Sequence, residues 1–269
     1  MTNEPTVSHS LGLRRPAASV IAECLRVQAT VRPNSAAQRL FGVSPLGREA
    51  EPWYVGALGE LEVARRLEAL GPGWYVLHSV PIGAGASDLD HVVIGPAGVF
   101  TINTKHHRGQ HVWVGAKRIM VNGQRTDHLR NAAFEARRTS KLLSVAARAL
   151  VEVTPVVAVV GARRMTVRER PYDVVVLHDH QLVRWLQRHP VTLTPEQVQR
   201  VAAVAAHPAA WQRIPEADAV DHAAFDRLHV AVGRARRRRQ AWAAVLIAAI
   251  PLTAFTLWSA ATSTLVAVG

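Results

Sequence analysis

The stretch Asp88-Leu89-Asp90-His91-Val92-Val93-Ile94-Gly95-Pro96-Ala97-Gly98-Val99-Phe100-Thr101-Ile102-Asn103-Thr104-Lys105 decides the fold of this chain. Its apolar residues fall in two runs, 89–94 and 99–105, each of strand length, and Gly95-Pro96-Ala97-Gly98 between them has tight-turn chemistry. A hairpin closed by a two-residue loop sets Asp90 opposite Asn103 and Asp88 opposite Lys105. Side chains alternate along a strand, so these four groups share one face of the sheet. Two carboxylates, an amide and an ammonium then converge on one patch, provided that no bulge shifts the register. The plainer reading of the same pattern is the solvated polar face of an antiparallel hairpin.

Outward from this hairpin the pattern extends in both directions. Upstream, 56–70 reads as a helix with Leu58, Leu61, Val63, Leu67 and Leu70 as its apolar residues, stopped by Gly71-Pro72-Gly73. A strand over 74–80 follows it. Downstream, 112–114 and 118–121 read as a small extra hairpin, with Asn122-Gly123 as a turn. A long helix spans 129–150, and 155–160 is a strand apolar enough to be buried on both faces. Further on, 173–177 is Val-rich, and helices are expected over 181–188 and 195–206, the second opened by Thr194-Pro195-Glu196.

Hydrolysis of a phosphodiester needs a divalent cation on carboxylate oxygens and a positive charge near the phosphate. Asp90 and Lys105 supply those parts. The run Gly56-Ala57-Leu58-Gly59-Glu60, then Asp88 to Phe100, then Asn103 to Gly109, resembles the nuclease-related domain (NERD) family over about residues 54–150. That family is grouped with the PD-(D/E)xK, restriction-endonuclease-like nucleases. The resemblance implies an α/β fold with an αβββαβ core and a metal-dependent site using Mg²⁺ or Mn²⁺. Glu60 matches the family's acid on the first helix, Asp90 the central metal ligand and Lys105 the lysine of the third strand.

Asn103 departs from the family pattern, which has an acid two residues before the lysine. Three explanations stand: catalysis is lost, the neutral Asn103 oxygen suffices as a ligand, or an acid comes from elsewhere. Glu135 is a candidate for that acid, because it lies on the apolar side of the long helix, where a carboxylate is costly unless paired or metal-bound. A simple salt bridge to a neighbouring arginine is the competing account of Glu135. Arg130, Arg137, Lys141 and Arg148 fall on one stripe of the same helix, a candidate surface for DNA or RNA. Residues 117–170 hold twelve Lys and Arg against four Asp and Glu, as a phosphate-backbone binder requires.

The whole chain has 269 residues, a formal charge of +12 and a single cysteine, Cys24, which excludes an internal disulfide. The expected organisation is an irregular and helical segment at 1–53, the nuclease-related domain with its helical extension at 54–213, and a polar, then Arg-rich linker at 214–240. A membrane anchor is expected at 241–269. Ala241–Gly269 is free of charged side chains and follows five arginines between Arg234 and Arg239. This predicts a single transmembrane helix, with Trp242 and Trp258 near the interfaces and the main domain cytoplasmic. The functional expectation is a membrane-anchored nuclease, the alternative a catalytically inactive module that binds nucleic acid or protein at the membrane.

Overall fold

The computed structural model describes residues 10–82, 88–211 and 220–267, with 250–267 described by backbone alone. The chain divides into two units, Met1–Cys24 with Pro52–Val220 and Leu25–Glu51 with Asp221–Gly269. In chain order the elements open with α1 (Ala18–Gln28), α2 (Ala36–Leu40) and α3 (Glu51–Leu67), followed by β1 (Tyr75–Pro81), β2 (Asp88–Gly95) and β3 (Gly98–His106). Next come β4 (His111–Gly115), β5 (Arg118–Val121), β6 (Gln124–Thr126), α4 (His128–Ala147), β7 (Val153–Val160), β8 (Arg164–Val167) and β9 (Val175–His178). The helices α5 (Asp179–Arg188), α6 (Pro195–Ala206) and α7 (His222–Ala267) complete the order.

The first unit is a mixed α/β structure with two sheets. The main sheet runs β1-β2-β3-β7-β9. Its first three strands are antiparallel, and β7 and β9 are added in parallel beyond β3. One face buries Val92, Ile94 and Val99 under Leu142 and Leu143 of α4 and Val198 and Val201 of α6. The other face buries Val93, Phe100 and Ile102 under Val63 and Leu67 of α3 and Leu182 and Leu186 of α5. Buried on both faces, these strands read as near-continuous apolar runs, and most of their stability comes from that burial.

Where a small extra hairpin was expected after β3, the chain forms a second, four-stranded sheet, β6-β5-β4-β8. The Asn122-Gly123 turn, with φ of 49° and 84°, returns β5 into β6, as a primed hairpin turn requires. The strand β8 joins β4 in parallel across a long separation in sequence, which a local pattern does not signal. Val112, Val114, Ile119 and Val121 pack the inner face onto Leu129 and Ala132 of α4 and Val157 and Val159 of β7.

The long helix stops at Ala147, short of the expected position 150. Arg148 adopts a left-handed conformation, φ 50°, and its N–H bonds to the Ser144 and Val145 carbonyls, the usual geometry of a helix C-terminus. Ser140 and Ser144 then hold Val151 by hydrogen bonds of 2.6 and 2.9 Å, and Leu150 is exposed. Asp179 is the first residue of α5, and His178 holds the cap position.

In the second unit, α7 engages the end of α2. Arg238 Nη1 donates to the Arg39 carbonyl at 2.9 Å and Trp242 Nε1 to the Leu40 carbonyl at 3.0 Å. Phe41 packs on Trp242 with ring centroids 5.3 Å apart. Both bonds go to carbonyls in the last turn of α2.

The expected transmembrane helix at 241–269, and with it a single-pass membrane location, is overturned. Among the described residues no helix is long and apolar enough to cross a membrane. Residues 241–267 belong to α7, which begins at His222. The helix that carries them begins in a polar, Arg-rich segment, and Trp242 is committed to α2 rather than to an interface. The side chain of Trp258 lies outside the described residues, as do residues 1–9 and 212–219 of the expected terminal segment and linker.

Candidate active site

The hairpin turn forms as its chemistry demands, Gly95 opposite Gly98, and the register runs as expected up to His91 opposite Ile102. There the β2–β3 ladder ends. The expected Asp90–Asn103 and Asp88–Lys105 ladder pairs do not form. Instead the Thr104 N–H donates to Asp90 Oδ2 at 2.6 Å, so a carboxylate takes the place of a backbone acceptor and the strands open. Asp88 turns to a residue absent from the sequence argument: Arg14 Nη2 donates to Asp88 Oδ2 at 3.2 Å.

The opening lies between two helices, and each contributes an acid. On the α3 side, Gly59 allows the helix to lie directly on β3. A Cβ at Gly59 would meet His106 Cβ at 3.0 Å and Thr104 Cγ2 at 3.3 Å. The next residue, Glu60, is 8% exposed. Burial pushes its carboxyl well above the usual range, the charges of Asp90 and Asp88 push it further, and Lys105 opposes them. Asp90 is also raised by burial, against the pull of Lys105 and of the Thr104 N–H.

On the α4 side, Glu135 Oε2 accepts a 2.7 Å bond from Asn103 Nδ2. No ion pair joins Glu135 to an arginine among the described residues. Burial raises Glu135, the Asn103 bond lowers it and the Asp90 charge raises it again. Asn103 is 7% exposed, and its Oδ1 is buried without a hydrogen-bond partner. A buried acceptor left unpaired costs free energy. Beside it, Asp88, Glu135, Asn131 and Arg138 line a pocket of about 120 Å³, closed by Ile82 and Phe134.

Lys105 is partly exposed and makes no ion pair within 4.0 Å among the described residues. Its charge nevertheless bears on Glu60, Asp90 and Glu135. Behind it, His107 and His128 stack, with Nε2 atoms 3.3 Å apart. Burial first, and then Lys105, hold His128 at about 4, so the pair is neutral at pH 7. Arg14 and His128 carry no signal in the sequence: one lies in an irregular N-terminal segment and the other reads as an ordinary helix start.

The expected nucleic-acid stripe is laid out unevenly. Arg130, Arg137 and Lys141 are exposed on α4, whereas Arg148 lies past the helix end. Arg130 pairs with Asp127 at 3.0 Å, and Arg137 shares a groove with Glu152 and Asp173. Elsewhere, His178, Asp179 and His180 bring possible ligand atoms within 4.8 Å of one another. Arg66 Nε, at 2.6 Å, already occupies the Asp179 carboxylate.

Comparison with known proteins bears on this segment. Residues 55–160 match the family model of the nuclease-related domain, a family of the restriction-endonuclease-like superfamily. The chain is also 40% identical over 74 residues to an uncharacterized protein of Bacillus anthracis, a match covering 26% of this chain and 35% of that protein. The chain thus spans about a third of that relative's length. No solved structure matches it.

Proposed function

We propose that the nuclease-related domain over residues 55–160 hydrolyses phosphodiester bonds of DNA or RNA with a divalent cation, Mg²⁺ or Mn²⁺. One observation carries this reading. Burial raises the proton affinity of three carboxyls, Glu60, Asp90 and Glu135; the charge of Asp90 bears on the other two, and Glu135 bonds to Asn103, whose Oδ1 is unpartnered. Such a cluster is unfavourable empty, because each ionised carboxylate is desolvated and repels the next. A hard cation on oxygen ligands relieves that cost.

Asp90, Glu135 and Asn103 would hold the cation, with Glu60 beside them, so the acid missing at position 103 is replaced from α4. When bound, the cation polarises the phosphate and lowers the pKa of a ligated water. Lys105 stabilises negative charge developing on the phosphate oxygens. Glu60, with its raised proton affinity, is suited to take the proton of the attacking water. The water oxygen bonds to phosphorus as the bond to the leaving oxygen breaks, and a proton from solvent completes the departing hydroxyl. The second reading, a non-catalytic module that binds nucleic acid or protein, draws on the neutral residue at position 103.

Cleavage of labelled DNA and RNA with and without Mn²⁺, alongside calorimetric Mn²⁺ titration, tests the proposal. Asp90→Asn should lose both cleavage and metal binding, whereas Lys105→Ala should keep the metal and lose cleavage. A folded wild-type chain that neither binds Mn²⁺ nor cuts, and gains neither on Asn103→Asp, would leave the binding module as the reading.

A further inference from the structure

We infer that the outer face of the second sheet is a docking platform for an unpaired stretch of polynucleotide, with Trp113 stacking on a base. This goes beyond the cleavage reading and does not depend on it. Register places the groups. Trp113 on β4 pairs with Met120 on β5 and with Thr166 on β8, and Met120 pairs with Arg125 on β6. Registered partners share a face, so these four side chains form one row across the sheet. The pair His111 and Arg164 flanks the row on one side, and Arg118 flanks it on the other. The alternate residues of β4 and β5, Val112, Val114, Ile119 and Val121, are the ones committed to the core.

The indole is laid down rather than raised. A Cβ at Gly115 would stand 2.6 Å from Trp113 Cη2 and 2.7 Å from Cζ3, so the six-membered ring covers the bare glycine two positions along its own strand. The ring is half-buried, and a pocket of about 460 Å³ opens over it, lined by Trp113, Met120, His111, Asn122, Arg164 and Thr166 among others. That space and that lining suit a flat, weakly polar ring.

Charge specifies what carries the ring. Residues 111–126 and 161–168 include Lys117, Arg118, Arg125, Arg163, Arg164 and Arg168 and no Asp or Glu. None of the six makes an ion pair among the described residues. The α4 stripe, by contrast, has carboxylates beside Arg130 and Arg137. An aromatic plate among unpaired cations recognises a polyanion that bears free π faces. A duplex buries its base faces in its own stack and would meet only the arginines. The platform begins after the connection 107–110, which leads from the strand that bears Lys105.

The test uses the full-length chain in EDTA, so that cutting does not enter. Fluorescence anisotropy follows labelled oligo(dT), oligo(U) and a duplex of the same length, each of about fifteen nucleotides, the upper range for one such platform. Trp113→Leu should weaken binding of the unpaired strands roughly five- to hundredfold, the span of one lost stacking contact, and leave the duplex within about twofold. Gly115→Ala, which displaces the ring without removing it, should follow Trp113→Leu, and Trp113→Phe should recover most of the affinity. Arg164→Ala should weaken every ligand and flatten the salt dependence. The two single strands report whether the sugar matters. Wild-type affinity in both Trp113→Leu and Gly115→Ala, equal loss on duplex and single strand, or no binding by the wild-type chain would each overturn the platform, whatever the metal and cleavage assays show.

Discussion

Replacing Glu60 by Gln should make the metal-free protein more stable, and increasingly so as pH rises. Glu60 is 8% exposed and is held well above its ordinary value of 4.5 by burial and by Asp90. Between that ordinary value and its folded-state value, the native protein keeps a proton that the unfolded chain has released. Stability therefore falls as pH rises through this window, at about 1.4 kcal/mol per pH unit for one retained proton. Gln keeps the size and carries no titrating proton, so this slope disappears. The gain of Glu60→Gln over wild type should thus be small near pH 4.5 and grow as pH rises from there toward the folded-state value of Glu60. Urea denaturation followed by circular dichroism, in EDTA at about pH 5, 6 and 7, measures it. Adding Mn²⁺ should narrow the difference: at a hundred times its dissociation constant a bound ion adds about 2.7 kcal/mol to the wild type, and the variant should gain less. A difference between the two proteins that stays constant with pH would refute the argument that burial and Asp90 raise the proton affinity of Glu60.

Gly59→Val should force α3 off β3, since even a Cβ would stand 3.0 Å from His106 Cβ. A loss of about 1–3 kcal/mol, the usual cost of overpacking, is expected in denaturation, with weaker Mn²⁺ binding in calorimetry as Glu60 is displaced. On α4, Arg137→Glu with Lys141→Glu should weaken duplex binding and lower its salt slope by about one unit or more. Unchanged affinity and slope in that folded variant would reduce the stripe to a solvated helix face.

Much of the fold was legible because it is written in short-range chemistry. Gly95 to Gly98 demands a turn whatever surrounds it, and the apolar runs beside it fit only strands. The same local logic failed at strand ends. The register from the turn held to His91 opposite Ile102 and then lost its authority, because the Asp90 carboxylate competes for the Thr104 N–H. At the C-terminus, hydropathy suggested an anchor, whereas no described helix is long and apolar enough to cross a membrane.

What the sequence determined by itself, then, is the order of the main-sheet strands and the helices that cover them, the resemblance over the hairpin, and the presence of Asp90, Asn103 and Lys105 on one short stretch. These depend on neighbours a few positions apart, whose geometry the backbone dictates. Only the tertiary structure decided which groups complete the cluster. Glu135 reaches Asn103 across 32 positions and Arg14 reaches Asp88 across 74, and β8 joins β4 to make a sheet where a hairpin was expected. Such pairings are set by how layers pack around a shared core, and no periodicity along the chain encodes which distant side chain that packing brings to a given carboxylate.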